Sequence, residues 1–207
     1  MPLTNDTESP QQPRIGVLAI QGDYAAHMQA LEESGARAVL VRKPEDLDGV
    51  DGLVIPGGES TTFLKLLERG GLRARLQTFV QQKPTFGTCA GCILLADEVL
   101  QPRQESLAVL HATVERNAYG RQIDSTIEHA QTKLEGGPME MVYIRAPRIA
   151  KVAKDVEVLA ERDGFPVLVR QGELLAATFH PELSDDRRVH QYFVEMVKSS
   201  RAANAKS

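Results

Sequence analysis

The sequence predicts an α/β fold of three layers, in which helices flank a mixed, mostly parallel sheet. In the first half of the chain, short apolar runs alternate with segments that have the apolar spacing of amphipathic helices. The last of these runs, residues 84–88, leads directly into a turn rich in glycine. Strands that alternate with helices favour a parallel sheet, and such sheets place their functional groups at the carboxyl ends of the strands.

Each element of the first half has its own signal. Residues 15–20 are almost continuously apolar, as expected for a strand that is buried on both faces. Residues 23–34 have Met28 and Leu31 at helical spacing and stop at Gly35, a residue typical of helix C-termini. The other predicted elements of this half are strands at 38–41, 52–55 and 84–88 and helices at 61–69 and 72–82.

The second half of the chain is richer in strand signals. We expect its strands to extend one mixed sheet in an antiparallel manner and not to form a separate domain. The predicted strands are 108–114, 141–144, 156–159, 167–170 and 174–179, and the apolar stripe of a closing helix consists of Val189, Phe193, Met196 and Val197.

The length of 207 residues is sufficient for one domain with a substantial core. We assign that domain to residues 14–200. Residues 1–13 are polar and interrupted by proline, which predicts a disordered leader. Residues 201–207 are predicted to form a frayed tail.

The composition excludes several classes of function. Aromatic residues make up 5% of the chain, tryptophan is absent and the formal net charge is −4, so we expect no nucleic-acid partner. The leader lacks the basic and apolar regions of a signal peptide, and no later segment is long enough to span a bilayer. Two cysteines that lie three residues apart form no disulfide framework, which predicts a cytoplasmic protein.

The run Phe86-Gly-Thr-Cys-Ala-Gly-Cys92 has the form of a nucleophile elbow with cysteine in place of serine. Glycines on both sides let a strand turn sharply into a helix, which leaves the side chain of Cys89 at the end of the sheet. The N-terminus of that helix directs N–H groups and the positive end of its dipole at the sulfur, which favours the thiolate. A thiolate beside N–H donors is suited to acyl transfer.

Other interpretations of the same cysteines stay open at this point. Cys89 and Cys92 form a C-x-x-C pattern, which is also typical of redox dithiols and of half a zinc site. A zinc site would need further ligands, and none of the five histidines forms an H-x₃₋₅-H pair. A third interpretation makes Cys89 a small buried apolar residue. Cys92, one helical turn further on, is interpreted as ordinary packing.

The segment Phe179-His-Pro-Glu182 favours the nucleophile, because it follows a predicted strand towards the same edge of the sheet. His180 can accept a proton from Cys89 and deliver it to a leaving amine. Glu182 can orient the imidazole and stabilise the imidazolium. A histidine before proline is otherwise a turn residue. The other histidines are predicted to lie at the surface or to be satisfied in the core: His27, His111, His129 and His190.

Together, Gly-Thr-Cys89-Ala-Gly and His180-Pro-Glu182 resemble the motifs of the class I, triad-type glutamine amidotransferases. Further segments resemble the glutaminase subunits of pyridoxal 5′-phosphate synthases within that family, and the resemblance covers about residues 14–198. These segments are Gly16-Val-Leu-Ala-Ile-Gln-Gly22, Ile55-Pro-Gly-Gly-Glu-Ser-Thr-Thr62, Arg116-Asn-Ala-Tyr-Gly-Arg-Gln122 and Tyr143-Ile-Arg-Ala-Pro147.

The resemblance implies hydrolysis of L-glutamine to L-glutamate and ammonia by a triad of Cys89, His180 and Glu182, with no metal and no organic cofactor. It also implies a hetero-oligomer in which the ammonia passes to a synthase subunit that makes pyridoxal 5′-phosphate in vitamin B6 biosynthesis. The alternative is a glutaminase subunit of another synthase, such as the one that forms the imidazole ring in histidine biosynthesis. A C-x-x-C redox protein is the less favoured alternative.

The same resemblance implies which residues contact glutamine. They are Gly58, Glu59, Ser60, Arg116, Ile144 and Arg145. Without the resemblance, the glycine pair before Glu59 equally fits a tight strand–helix connection with Ser60 as the N-cap. Arg116 would then be a solvated residue, and Ile144 and Arg145 would end a strand before proline.

Overall fold

The structure is a computed structural model that describes residues 12–116 and 125–205. Most of the predicted leader and most of the motif at 116–122 lie outside the described residues. The strands are β1 Arg14–Leu18, β2 Arg37–Val41, β3 Gly52–Ile55, β4 Thr85–Thr88, β5 Ala96–Leu100, β6 Leu110–Glu115, β7 Ser125–Ala130, β8 Met139–Ile144, β9 Arg148–Val152, β10 Glu157–Arg162, β11 Phe165–Gln171 and β12 Leu174–Ala177. The helices are α1 Tyr24–Glu33, α2 Ser60–Arg69, α3 Leu72–Gln82, α4 Ala90–Leu95 and α5 Arg188–Asn204, with 3₁₀ turns at Pro44–Leu47 and Pro181–Leu183.

Seven strands form the central sheet, in the order β10-β11-β12-β4-β3-β1-β2. The pairs from β12 through β4, β3 and β1 to β2 are all parallel, whereas β10–β11 and β11–β12 are antiparallel. The predicted mixed, mostly parallel sheet is therefore confirmed. Because β3, β4 and β12 are adjacent and parallel, the residues that follow their carboxyl ends meet at one edge.

Two core clusters, one on each face of the sheet, produce the predicted three layers. Successive side chains of a strand point to opposite faces, so that Leu53 and Ile55 pack into one cluster while Val54 packs into the other. The first cluster includes buried residues of α2, α3 and α4, and the second includes buried residues of α1 and α5. Residues of β5, β6 and β9 join the first cluster, and residues of β8 join the second.

The prediction that all strands of the second half extend one sheet is wrong for two of them. Strand β6 belongs to a three-stranded sheet, β5-β6-β9, and β8 pairs with β7 in a separate hairpin. Both β6 and β8 bury alternate residues, whereas all four residues of β3 are buried. A strand with only one apolar face covers a core from outside and does not fit between two helical layers.

The closing helix α5 runs to Asn204, so the predicted boundary of the frayed tail at residue 201 falls inside a helix. An ion pair between Arg201 Nε and Asp51 Oδ1, 3.6 Å apart, connects the last turns of α5 to the residue that precedes β3. Residues 206–207 lie outside the described part of the chain. None of the described helices has both the length and the apolar character needed to cross a membrane.

The connection from β4 to α4 is packed too closely for side chains at its two glycines. A Cβ atom at Gly91 would lie 2.1 Å from the carbonyl oxygen of Ile55, the last residue of β3. A Cβ atom at Gly87 would lie 2.6 Å from the carbonyl carbon and oxygen of Gly91. Glycine at these positions therefore allows α4 to start directly against the sheet, as the elbow interpretation predicts.

We expect Gly91→Ala to lower the free energy of unfolding by about 3 kcal/mol, because α4 must move away from β3. Urea denaturation measures this loss. Gly137→Ala is the control, since Gly137 has φ 79° but no atom within 4 Å of an added Cβ. It should lose only about 1 kcal/mol from backbone strain. A larger loss for Gly137→Ala would contradict the close packing at the elbow.

Candidate active site

The ends of three adjacent strands bring the predicted catalytic groups together. Cys89 follows β4, His180 lies three residues beyond β12, and Gly57 lies two residues beyond β3. They open onto a cavity of about 290 Å³. Its lining consists of Gly22, Asp23, Gly57, Gly58, Glu59, Ser60, Cys89, Ile93, Arg116, Ile144, Arg145 and His180.

Cys89 occupies the sharp turn between β4 and α4 with φ 48° and ψ −103°, a backbone conformation that residues other than glycine rarely adopt. Its backbone N–H donates to the carbonyl oxygen of Ala177, 2.9 Å away, which ties the turn to β12. The residue is 6% exposed. Such strain persists only where neighbouring structure enforces it, and here it directs the sulfur into the cavity.

His180 and Glu182 form a buried pair next to the sulfur. The distance from His180 Nδ1 to Glu182 Oε1 is 2.7 Å, and the backbone N–H of His180 donates to the carbonyl oxygen of Val142 in β8. Burial alone would lower the pKa of His180, but its hydrogen bonds to Cys89 and Glu182, together with their charges, raise that pKa above its ordinary value. The imidazolium form of His180 is therefore favoured.

The loop after β3 places its backbone directly beside Cys89 and His180. A Cβ atom at Gly57 would lie 2.5 Å from His180 Cε1 and 3.4 Å from Cys89 Cβ. Gly58 has φ 143°, a conformation that favours glycine. The side-chain amide of Gln21, in the segment after β1, donates to the carbonyl oxygen of Glu59 at 2.6 Å and so anchors the loop. Only glycine at position 57 allows this backbone to lie so near Cys89 and His180.

Glu59, and not Ser60, caps helix α2. The carboxylate of Glu59 accepts from the backbone N–H groups of Thr61 at 3.1 Å and Thr62 at 2.8 Å. Burial would raise the pKa of Glu59, but these hydrogen bonds and those from the two threonine hydroxyls lower it to about 2. Ser60 instead donates its hydroxyl proton to Gln104 Oε1 at 2.9 Å. The N-cap interpretation of Ser60 is thus wrong, because the longer carboxylate reaches the same N–H groups.

The two small sheets carry the other predicted substrate-binding residues to the cavity. Arg116 directly follows β6, and its Nη2 donates to Glu59 Oε1 at 3.1 Å and to Thr61 Oγ1 at 3.2 Å. Its side chain is 15% exposed, so it is not the freely solvated arginine of the alternative interpretation. Ile144 ends β8, and Arg145 follows it with φ 43°.

The structure therefore brings all the predicted site residues to one place. Eight of them line the cavity, and Glu182 lies behind His180 with an exposed fraction of 5%. Sequence reasoning missed His27 and His190, which the structure buries completely beyond Glu182. His27 Nε2 lies 3.3 Å from Glu182 Oε2. No local pattern around either histidine could have indicated this contact.

Cys92 is a buried packing residue of α4. It is fully inaccessible, and burial, together with the nearby Cys89, raises the pKa of its thiol to about 12. A thiol that stays protonated is a poor partner for disulfide exchange. The structure thus favours the nucleophile interpretation of Cys89 over the redox pair.

Comparisons with known proteins identify relatives over nearly the whole chain. The SNO glutamine amidotransferase family matches residues 17–199. The chain is 60% identical to the pyridoxal 5′-phosphate synthase subunit PdxT of Koribacter versatilis, over 91% of this chain and 98% of the relative. It is 49% identical to PdxT of Thermotoga maritima, over 89% of this chain and 100% of the relative.

Solved structures show the same fold. A crystal structure of a glutamine amidotransferase superimposes with a TM-score of 0.83 at 46% identity and covers 89% of this chain and 98% of its own. The structure of PurLQS from Thermotoga maritima superimposes with a TM-score of 0.62 at 16% identity, over 94% of this chain and 99% of the matched chain. At that identity, the second likeness concerns the fold alone.

The difference between the two cysteines predicts selective alkylation of the native chain. We expect iodoacetamide to modify Cys89, which lines the cavity beside His180, and to leave the buried Cys92 thiol, with its raised pKa, intact until the chain unfolds. Mass spectrometry of peptides measures both sites. The Cys89→Ala variant is the control and should take up no label when folded. Comparable labelling of both cysteines in the native chain would contradict this assignment.

Proposed function

Because the chain belongs to the SNO glutamine amidotransferase family, we propose that it is the glutaminase subunit of a pyridoxal 5′-phosphate synthase. It hydrolyses L-glutamine to L-glutamate and ammonia. The observation that best supports this proposal is that Cys89 and His180 line one cavity with Glu182 behind His180, in a chain 60% identical to a PdxT subunit. Release of glutamate from glutamine by the purified chain is the direct test.

In the first half of the proposed reaction, the Cys89 thiolate attacks the side-chain amide carbon of glutamine. The carbonyl oxygen becomes an oxyanion, which the N–H of Ala90 and an N–H from Gly57–Gly58 stabilise. When the tetrahedral intermediate collapses, the C–N bond breaks and the His180 imidazolium gives its proton to the departing nitrogen. Ammonia leaves, and the glutamyl group remains on the sulfur as a thioester.

In the second half, neutral His180 takes a proton from a water molecule, which attacks the thioester carbon. The C–S bond breaks, glutamate is released and the thiolate is restored beside the imidazolium. Glu182 keeps the Nδ1 proton of His180 in place through both halves, since its Oε1 accepts a hydrogen bond from this N–H at an Nδ1–Oε1 distance of 2.7 Å.

The substrate side of the proposal depends on the residues that line the rest of the cavity. Arg116 supplies a positive charge that suits the α-carboxylate of glutamine, and Glu59 holds its guanidinium in position at 3.1 Å. The Glu59 carboxylate is already engaged in capping α2, so we assign it to positioning Arg116 and the loop backbone. Gly58, Ser60, Ile144 and Arg145 complete the proposed contacts with glutamine.

The ammonia is passed, in this proposal, to a synthase subunit that makes pyridoxal 5′-phosphate. The identities to PdxT subunits favour this partner over the synthase of histidine biosynthesis. A cytoplasmic location belongs to the proposal, since both cysteines are free thiols and free thiols persist in reducing compartments.

The proposed triad predicts that substitutions of its three residues lower the glutaminase activity to different extents. Cys89→Ala should abolish glutamate release, and His180→Asn should be nearly as damaging because triad members act as a unit. Glu182→Gln should lower kcat by about a hundredfold or more, since it disturbs the tautomer and the imidazolium of His180. Glutamate release at saturating glutamine measures all three. Cys92→Ala is the control and should keep most of the activity. Near-normal turnover in Glu182→Gln would show that another carboxylate orients His180.

The glycine pair of the loop predicts that the partner controls the activity. The Gly57–Gly58 peptide can present either N–H or C=O to the oxyanion at little steric cost, and partner contact near this loop would favour the N–H state. Loss of one oxyanion donor costs about 3 kcal/mol, so the isolated subunit should be about a hundred- to a thousandfold slower than the complex. The measurement compares glutamate release with and without the synthase subunit. Equal rates would remove the switch from the proposal and leave the triad.

A further inference from the structure

A buried polar cluster lies beyond the triad on the far side of Glu182. It consists of His27 on α1, Thr88 at the end of β4 and His190 on α5, and all three residues are completely inaccessible. We call these three residues the histidine cluster. His27 Nε2 lies 3.1 Å from Thr88 Oγ1 and 3.3 Å from Glu182 Oε2, and His27 Nδ1 lies 3.0 Å from His190 Nε2.

The positions of the protons follow from these contacts. If His27 carried its proton on Nδ1, the bare Nε2 would point a lone pair at the Glu182 carboxylate. The same tautomer would make His190 Nε2 an acceptor and would leave a proton on His190 Nδ1, which has no hydrogen-bond partner among the described residues. Buried N–H groups without an acceptor are rare and costly. The proton of His27 is therefore on Nε2.

The opposite arrangement has neither defect. With the proton on Nε2, His27 donates to Thr88 Oγ1 and presents the same N–H to Glu182 Oε2 at 3.3 Å, and its bare Nδ1 accepts from the Nε2–H of His190. Two atoms of this arrangement stay without a hydrogen-bond partner among the described residues, and both are acceptors, His190 Nδ1 and Glu182 Oε2. The N–H of His27 faces the second of them at 3.3 Å. The Nε2–H of His190 on α5 thus points to His27 on α1, and the Nε2–H of His27 points towards Thr88 and the Glu182 carboxylate.

We propose that His27 is a positioning residue of the triad, which holds the second oxygen of Glu182 as a neutral donor while His190 fixes its tautomer. Glu182 has two oxygens, and His180 uses Oε1. The N–H of His27, 3.3 Å from Oε2, attracts this oxygen and so opposes rotation of the carboxylate away from the proton of His180. The role rests on the proposed function, since it requires that Glu182 serves His180 in catalysis.

The neutral form of His27 matters because a charged one would compete with His180 for the negative charge of Glu182. Burial lowers the pKa of His27 and lowers that of His190 well below its ordinary value. The charged or titratable groups that face the cluster are Glu182, His180, Asp23 and Arg187. Phe86 lies nearly perpendicular to both imidazole rings, with centroids 6.3 Å from His27 and 5.9 Å from His190, which restrains the two rings.

The test compares two substitutions at position 27 in the full chain with its synthase subunit. His27→Leu removes the donor, and His27→Gln places an amide N–H near the position of Nε2. We expect His27→Leu to lower kcat by roughly ten- to a hundredfold, the range for a lost hydrogen bond to a charged group. The KM for glutamine should stay within about twofold, since His27 does not line the cavity. His27→Gln should recover most of the lost kcat.

Val197→Ala is the matched control for loss of core packing. Val197 is fully buried on α5 but packs against Gly52 at the amino end of β3, remote from the catalytic edge. It should lower the thermal midpoint and leave kcat unchanged. An unchanged kcat in His27→Leu, or an equal loss in the Leu and Gln variants, would overturn the positioning role.

A second measurement is independent of activity and of the behaviour of any variant. Nitrogen-15 NMR of the imidazoles in the wild-type chain at pH 7 should show neutral His27 and His190, each protonated on Nε2. A charged His27, or a proton on its Nδ1, would overturn the proposal even if the chain is an active glutaminase. Failure of the wild-type chain to release glutamate would instead overturn the proposed function, and the proton positions would still be decided by NMR.

Discussion

The buried charge of Glu182 is the constraint on which the catalytic edge of this protein depends. A carboxylate that is 5% exposed is stable only if other groups compensate for the lost water. Burial alone would raise its pKa, yet His27 and His180 lower it. One of its oxygens faces the imidazole of His180, and the other faces the histidine cluster. The ends of β4, β12, α1 and α5 must therefore keep a fixed arrangement around a single side chain.

The site has two parts with different structural origins. The groups proposed to react come from the ends of parallel strands in the main sheet, where Cys89 and His180 are fixed by backbone contacts to Ala177 and Val142. The groups proposed to recognise the substrate come from β6 and β8, which lie outside that sheet. Because the two small sheets pack on opposite core clusters, they approach the cavity from different sides.

The predictability of each feature from the sequence depends on how local its cause is. The elbow could be predicted because Gly87 and Gly91 lie within two residues of Cys89 in the sequence, and the main sheet because strands buried on both faces have continuous apolar runs. The close contact of Gly91 with Ile55 of β3 exists only in the folded chain. Strands β5, β7 and β9 escaped prediction, because the burial patterns of β5 and β9 are irregular and β7 has no fully buried residue. Nothing near His27 in the sequence indicates that it faces Glu182, because α1 and the turn after β12 meet only in the folded chain.

The burial of Cys92 has a consequence for the lifetime of the protein in an oxidising environment. A reactive thiolate, as proposed for Cys89, is open to oxidation to a sulfenic acid, which many proteins rescue by forming a disulfide with a neighbouring thiol. The chain has one other cysteine, and its thiol is inaccessible with a pKa of about 12. Under the proposed role of Cys89, repair of its oxidised form would therefore have to come from thiols outside the chain.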